Sequence, residues 1–466
     1  MTSPAHGRPD VRATAVRRAA IPLISRLRPH GYIANCFGRL ALLEKTQWLP
    51  AEQLVGIRLN ALQRLLRHAA ECSPYYRSLF RRVGATPDDI RRFEDLRAFP
   101  PLTRAQVQEH WREMMTCDPA QPRVMRNASG GSSGQPVVFY HDHDELWWRS
   151  AAALRHDQWT GWRVGERAAL VWGAARDFAV LAGERRRLNQ ALFPEMLIDA
   201  SSLEDEMMAA ALARLERWQP RLLVGYANAL YAFARFAAAR GHRFRPMAII
   251  ATAEVLDEER GRIIEEVFGC PIYERYGARE FGVLASQCER RGGLHINAEK
   301  VIIEFDEARA DAEGRAPILV TDLANLVMPL IRYEIGDLGR PLAGLCDCGR
   351  ALPMMDRIEG RVTDFIATPG GRRVSGVAAA TYLITNCPGL KQVQIVQPSL
   401  DRAVLRCVTG EGFSEEARAR LIARGREFFG DGVSVEVEQV ETIPRGPTGK
   451  WRFSISMVDQ DRSDPG

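Results

Sequence analysis

The sequence predicts an α/β protein: a large N-terminal domain of layered sheets and helices, then a small α+β C-terminal domain. Three observations carry this. Residues 203–275 alternate helix and strand patterns. The last hundred residues change to half-buried strands around one helix. The chain has 466 residues, 46% hydrophobic and 26% charged, an ordinary globular balance that can bury a sizeable core. At roughly 150 residues per domain, about three domains or subdomains are expected.

The elements follow in order. Residues 1–14, with Pro, Gly, Ser and Thr and no apolar period, read as a disordered tail. From about Gly31 to Phe99 the pattern is helical. Leu54, Ile57, Leu59, Leu62, Leu65 and Leu66 are spaced for one helix face, and Pro100-Pro101 stops the segment. A helix is expected over 203–218, after Ser201-Ser202. Leu222 to Val224 reads as a short strand, 227–240 as a helix closed by Gly241, and Met247 to Thr252 as a buried strand. Residues 257–268 read as a helix with an Asp start and a Gly269 stop, followed by a strand over Pro271 to Arg275. Such alternation argues for a mostly parallel sheet covered by helices. Beyond a boundary near Glu359–Thr363, Lys391 to Gln397 and Val433 to Val437 alternate as half-buried strands. Ser414 caps a helix that runs to Phe429 and stops at Gly430.

Composition excludes several classes. The 63 basic and 58 acidic residues leave a net charge of +5, too near balance to argue for nucleic acid. No run of about 18 apolar residues exists, so no membrane-spanning helix is expected. The apolar patch Ala19 to Ile24 is short and broken by Pro22, which does not suit a signal sequence. Nine Cys, an odd number, then suggest a cytoplasmic chain with reduced thiols. Only Lys45, Lys300, Lys391 and Lys450 are lysines, so a Lys inside a motif stands out.

Five short motifs carry chemistry. Ser129-Gly130-Gly131-Ser132-Ser133-Gly134-Gln135-Pro136 precedes a strand over Val137 to Tyr140. Its glycines let the backbone curl and its hydroxyls can meet phosphate oxygens; a flexible Gly/Ser linker reads equally well. Tyr276-Gly277-Ala278-Arg279-Glu280 follows an expected strand, where a Tyr can stack on a purine and a Glu can hold Mg²⁺. Arg332-Tyr333-Glu334-Ile335-Gly336-Asp337-Leu338 offers an Asp at a turn, able to accept two ribose hydroxyls. Gly360-Arg361-Val362-Thr363-Asp364 lies at the domain boundary. Pro444-Arg445-Gly446-Pro447-Thr448-Gly449-Lys450 presents a rare Lys, suited to a reacting phosphate or carboxylate. Taken singly, each of the last four also reads as an ordinary turn or loop.

In this order and at these separations, the motifs resemble those of the adenylate-forming (acyl-CoA synthetase) superfamily, in its phenylacetate–CoA ligase-like branch. The family's SSGTTGKP matches 129–136, YGxTE matches 276–280, YRTGDL matches 333–338, GRxDD matches 360–364 and PRTxxGK matches 444–450. The resemblance runs from about residue 50 to the end, and Ser73-Pro74-Tyr75-Tyr76 and Leu102-Thr103 share it. It implies an adenylation domain over 15–359 and a mobile lid domain over 360–466 carrying the catalytic Lys. It implies that ATP and a carboxylic acid give acyl-AMP and pyrophosphate, and that a thiol, usually coenzyme A, displaces AMP. Ser129, Ser132 and Ser133, with Gly130, Gly131 and Gly134, would hold the β/γ-phosphates. Tyr276 and Gly277 would lie near the adenine, with the Ala253-Glu254 turn lining the same pocket. Glu280 would bind Mg²⁺, Asp337 the ribose with Arg361 beside it, and Lys450 would bridge the carboxylate and the α-phosphate.

Two departures from the pattern are visible. Gln135 replaces the usual loop Lys, which shifts phosphate neutralisation onto Mg²⁺ and Lys450. Thr363 stands where many members carry Asp, so the hinge is Thr363 or Asp364. By position, Tyr140, Trp147, Trp148, Gly225 and Tyr226 are acyl-pocket candidates, or core packing; their bulk favours an aryl or small acyl acid. His141 or His143 could line the acyl pocket, and Arg185-Arg186-Arg187 could meet the coenzyme A 3′-phosphate, but a satisfied or exposed His and a solvated Arg face are the plainer expectations.

Cys288, His295, Cys346 and Cys348 form a separate set, suited to tetrahedral Zn²⁺ and, with four protein ligands, to a closed structural site. Independent thiols and a surface His are the plain alternative. Cys36, Cys72, Cys117, Cys270, Cys387 and Cys407 read as small apolar residues. The leading reading is an acid–thiol ligase acting on a small carboxylic acid. The first alternative transfers the acyl group to a carrier-protein thiol or an amine; the second is a non-catalytic nucleotide-binding relative. A homodimer stays open.

Overall fold

The computed structural model describes residues 11–128, 137–172, 192–199, 205–358, 365–369, 373–375, 379–380, 383, 387–430, 432–444 and 454–458. The chain divides into two compact units. One is Met1–Ile335 with Gly339–Arg357, and the other is Gly336–Leu338 with Ile358–Gly466.

The first unit opens with α1 (Val11–Leu27), α2 (Tyr32–Thr46), α3 (Ala51–Cys72), α4 (Pro74–Val83) and α5 (Arg104–Met114). The residues from Val11 are thus helical, where a tail to residue 14 is expected from composition. Of the apolar stripe on α3, Leu54, Leu62, Leu65 and Leu66 are buried, but Ile57 faces solvent and Leu59 is only half-buried. Arg58 takes the inward place instead, donating to the Ala298 carbonyl oxygen at 3.1 Å. Ser73 accepts from the Tyr76 N–H and caps α4, while the buried Tyr76 hydroxyl donates to Pro329 O at 2.8 Å. The Ser-Pro-Tyr-Tyr motif is therefore a packing device.

Next come the hairpin β1 (Val124–Ala128) and β2 (Val138–Asp142), then α6 (His143–Trp159), β3 (Ala168–Trp172), β4 (Glu195–Asp199) and α7 (Asp205–Trp218). They lead into β5 (Leu222–Tyr226), α8 (Ala227–Arg240), β6 (Ala248–Thr252), α9 (Glu258–Phe268) and β7 (Ile272–Ala278). The local signals explain the boundaries. Asp257 accepts from Arg260 N at the start of α9, and Gly269 ends it at φ +67°.

The next strands are β8 (Gly282–Gln287), β9 (Leu294–Ile296), β10 (Val301–Phe305), β11 (Ala316–Asp322), β12 (Tyr333–Gly339), β13 (Pro341–Leu342) and β14 (Met354–Met355), of which only Gly336–Leu338 of β12 count with the second unit. A nine-stranded sheet has the order β13-β14-β9-β8-β7-β6-β5-β3-β4. Its β4, β3, β5, β6 and β7 are parallel, and β8, β9, β14 and β13 extend it antiparallel. Side chains leave the sheet alternately. Leu223, Ile249, Ala251 and Ile272 pack under α7, α8 and α9. Leu222, Val224, Ala248, Ile250 and Tyr273 meet α1, α2 and α6 on the other face. A three-stranded sheet of order β10-β11-β12 lies apart, and its Ile302 shares a core with Leu62, Leu65 and Phe80 of α3 and α4.

The second unit holds β15 (Phe365–Ala367), β16 (Arg373–Ser375), β17 (Leu390–Ser399), β18 (Arg402–Thr409), α10 (Glu415–Phe429), β19 (Ser434–Gln439) and β20 (Ser454–Ser456). Its main sheet has the order β19-β18-β17-β20. Leu421 and Phe429 of α10 pack on Ile395, Leu405 and Val435. Ser414 caps this helix as its sequence position requires, accepting from Ala417 N at 3.2 Å.

Candidate functional site

The C-terminal ends of the parallel strands gather one group of candidates. The register pairs Tyr226 with Thr252, and Thr252 with Arg275. Tyr226, the Ala253-Glu254 turn and Tyr276 therefore sit side by side along one sheet edge, the edge at which open α/β sheets bind ligands. Ala253 has φ +67°, a conformation that costs a non-glycine residue roughly 1–3 kcal/mol and persists where surrounding structure enforces it. The Glu254 carboxylate accepts from Asn228 N at 3.0 Å, so it satisfies the first turn of α8.

Tyr276, Gly277 and Ala278 end β7 itself rather than following it, and the β7–β8 register slips between Tyr276 and Gly277. A Cβ on Gly277 would lie 2.7 Å from Gly282 O, so only glycine lets the two backbones close this tightly. The closure places Glu280 at the tip of the β7–β8 turn, largely buried.

A charge network, not anticipated from the sequence, holds that tip. Arg149 of α6 donates to the carbonyl oxygens of Arg279 and Glu280, at 2.6 and 2.5 Å. Its Nε meets Glu145, one turn earlier. Glu145 in turn contacts Lys300 Nζ at 3.1 Å, and Lys300 contacts Asp322 at 2.8 Å. Glu145, Lys300 and Asp322 are all but inaccessible to water. Burial pushes the Asp322 carboxyl up, with the Lys300 ammonium opposing. Two cations face two anions, the balance that burial demands. The one available sequence signal was the rarity of lysine.

The acyl-pocket candidates separate. Tyr140 is buried, stacked on Trp111 at 5.1 Å between ring centroids, with its carbonyl oxygen accepting from Asn325. Tyr226 leans on Trp172 at 4.9 Å. Gly225 abuts Val171 and Leu230, where a Cβ would come within 2.9 Å. Trp148 packs against the core between the sheet and α2, and the Arg39 guanidinium lies over both Trp147 and Trp148. His141 differs from its expectation. It is buried, its Nδ1 has no hydrogen-bond partner among the described residues, and burial first, then Arg149, lowers its pKa to about 4. It is therefore a neutral imidazole on β2. His143 is partly exposed beside Trp147.

Asp337 lies within β12, where a turn is expected, and is buried. It belongs with Gly336 and Leu338 to the second unit. Arg332, just before that strand, has φ +53°. It donates to Glu304 at 3.1 Å and to Phe99 O, anchoring the chain before Leu102. The phosphate-loop candidates Ser129, Gly130, Gly131, Ser132, Ser133 and Gly134 lie outside the described residues, although Ala128 and Val138 on either side are paired. Arg361, Thr363, Asp364, Lys450 and Arg185-Arg186-Arg187 also lie outside them.

The four soft ligands converge. Cys288 follows β8, His295 sits in β9, and Cys346 and Cys348 occupy the loop between β13 and β14. The pairing of β14 with β9, Met354 opposite His295, joins these distant segments. One donor atom from each of the four residues falls within a 4.8 Å group. Cys288 Sγ is 3.7 Å from Cys346 Sγ, and Cys348 Sγ is 3.4 Å from His295 Nε2. Tetrahedral zinc with Zn–S bonds of about 2.3 Å places sulfurs about 3.8 Å apart, so the donor set fits. Backbone N–H groups of Arg290 and Arg350 point at Cys288 and Cys348. Burial pushes the Cys288 thiol up to about 12. Burial first, then Arg350, lowers the His295 pKa to about 4, leaving a neutral imidazole. Arg350 and Trp159 wall the cluster. Of the other cysteines, Cys36, Cys270, Cys387 and Cys407 are buried as expected of small apolar residues, but Cys72 is exposed and Cys117 partly so.

The chain is similar to several known proteins. Residues 366–457 match the family described as the CapK C-terminal domain. Protein CapK of Staphylococcus aureus is 23% identical over 378 residues, 78% of this chain and 81% of that protein. The phenylacetate-coenzyme A ligase of Thermus thermophilus is 25% identical over 390 residues, covering 80% and 86%. Among solved structures, 2-hydroxyisobutyryl-CoA ligase in the postadenylation state superposes with a TM-score of 0.71 at 20% identity, covering 88% and 90% of the two chains. No helix among the described residues is long and apolar enough to cross a membrane. The chain is a relative of the phenylacetate–coenzyme A ligases and CapK, and it carries the fold of the adenylate-forming CoA ligases.

Proposed function

We propose that this chain activates a small or aryl carboxylic acid with ATP and passes the acyl group to the thiol of coenzyme A. The observation that carries the reading is the sheet edge that aligns Tyr226, Ala253 and Tyr276 beside the clamped Glu280 turn. The acid's oxygen attacks the α-phosphorus, and the bond to the β-phosphate bridging oxygen breaks. Acyl-AMP and pyrophosphate result. The thiol sulfur then attacks the acyl carbon, and AMP leaves. In this reading Ser129, Ser132 and Ser133 hold phosphate oxygens, Tyr276 lies against the adenine, and Asp337 and Arg361 hold the ribose. Lys450 meets the charge that develops between carboxylate and α-phosphate. Glu280 would hold Mg²⁺, which would supply charge neutralisation on the phosphates. Arg149 keeps Glu280 in place through the two carbonyl oxygens it binds.

Glu280→Gln tests the site. The amide keeps the size and removes the anionic hard ligand. The magnesium concentration for half-maximal pyrophosphate release should rise about tenfold or more. An unchanged magnesium titration would show Glu280 to be a turn residue only.

The cluster of Cys288, His295, Cys346 and Cys348 is read as a structural zinc site. Protein prepared without chelators should carry close to one zinc per chain. Cys346→Ser should lower both the zinc content and the melting temperature, at a cost of several kcal/mol, because closed thiolate sites couple metal binding to folding. Zinc-free protein together with an unchanged melting temperature in Cys346→Ser would remove the site.

A further inference from the structure

The face of α1 turned away from the body binds nothing within the described chain, and its composition points to a partner. Ile21 is buried, Ala20 and Ile24 pack against the core beneath, and Arg17 donates to Gly165 O at 3.0 Å. These contacts hold the helix on the first unit. Val16, Leu23 and Leu27 point elsewhere, 69%, 59% and 73% exposed. At 100° per residue, positions i, i+7 and i+11 fall within an arc of about 40°, so the three form a single stripe.

Two further facts bear on what covers it. Exposed large apolar side chains concentrate at this end. Seven of the eleven among the described residues (Val16, Leu23, Leu27, Leu42, Trp48, Val55 and Ile57) precede residue 58. From Val11 to Leu43 there is no Asp or Glu. Arg12 and Arg26 are exposed on one flank of the stripe, Arg28 is exposed just past the end of the helix, and Arg18 is exposed on its far side. A second copy seated on this face would set arginines against arginines with no anion between them. A nucleic acid would meet the arginines but leave the Val/Leu stripe without a counterpart. An anionic lipid surface satisfies both, with phosphates for the guanidinium groups and acyl chains for the stripe.

We infer that α1 is an interfacial helix that docks the protein on anionic membranes without spanning them. The docked state sets Val16, Leu23 and Leu27 at the boundary of the acyl chains and the arginines among the headgroups. The inference is independent of the acid activated, because it concerns a face remote in sequence from every motif assigned to the reaction.

The test is flotation of the full chain with vesicles of phosphatidylcholine alone, or with about one-third phosphatidylglycerol. The anionic vesicles should carry at least about tenfold more protein, and high salt should release it. Leu23→Glu with Leu27→Glu should reduce binding about tenfold. Arg12→Gln, Arg18→Gln, Arg26→Gln and Arg28→Gln together should abolish the preference for anionic lipid. Both variants alter exposed side chains, so pyrophosphate release should be unchanged; should either fail to fold, the salt release of the unmodified chain still decides. Equal binding to the two vesicle types, or none, overturns the inference. So does a lipid-free dimer that the Leu23→Glu, Leu27→Glu variant converts to monomer, which would make a second copy the occupant.

Discussion

Replacing Lys450 by Ala is expected to slow acyl-adenylate formation by about 10²–10³-fold, the usual loss when one group that stabilises developing charge is removed. The role rests on the likeness of Pro444 to Lys450 to the family's PRTxxGK motif. The carboxylate and the α-phosphate are both anionic, so bringing them together needs a cation at the reacting atoms. Gln135 would make the need sharper, because it stands where the SSGTTGKP motif that 129–136 resembles has a Lys. The same variant should convert supplied acyl-AMP to the thioester at nearly the normal rate. A general folding defect would slow both steps, so the split separates the two causes. Adenylation at the unmodified rate would remove Lys450 from the mechanism.

The largest loss of stability is expected at Lys300. Lys300→Met keeps the length and removes the cation between Glu145 and Asp322, 3.1 and 2.8 Å away. Removing one partner from a buried pair typically costs about 3–5 kcal/mol, a large part of the roughly 5–15 kcal/mol that stabilises a protein. The damage should reach the site, because Glu145 also holds Arg149 and Arg149 holds the Glu280 turn. Adding Asp322→Asn should recover part of the loss, since Arg149 and Glu145 then remain as a balanced pair. Chemical denaturation of the single and double variants reads this directly. A Lys300→Met variant within about 1 kcal/mol of the parent would show that the network is not what holds this layer together.

What the sequence made legible was local. Asp257, Gly269, Ser414 and Gly430 mark helix ends that the fold places within a residue of the expected positions. Strands β5, β6 and β7 follow from short apolar runs between those helices. The strand over Arg402–Thr409 was not among the expected elements, although Ala403, Leu405 and Cys407 alternate inward there. The antiparallel extension β8-β9-β14-β13 depends on pairings between distant segments, which periodicity cannot express. The same limit hid Arg149, Glu145, Lys300 and Asp322, whose partners lie up to 155 residues apart along the chain, as Glu145 and Lys300 do. The Cys/His set was legible because its ligand types are few and closely paired in sequence. The Tyr276–Glu280 segment stood out in the sequence, but the reason for Gly277 emerges only when Gly282 O lies 2.7 Å from where its Cβ would be. Asp337 shows the converse error: it is expected at a turn, yet β12 continues through Gly336 and Asp337.

The most direct test of the central claim is pyrophosphate release from ATP across a panel of aryl and small acyl acids, with and without coenzyme A. The account predicts acid-dependent pyrophosphate release without coenzyme A, and sustained AMP and thioester formation once coenzyme A is added. Acid-dependent release that coenzyme A leaves unchanged would move the acceptor to a carrier thiol or an amine. No acid-dependent pyrophosphate from any member of the panel would contradict the account.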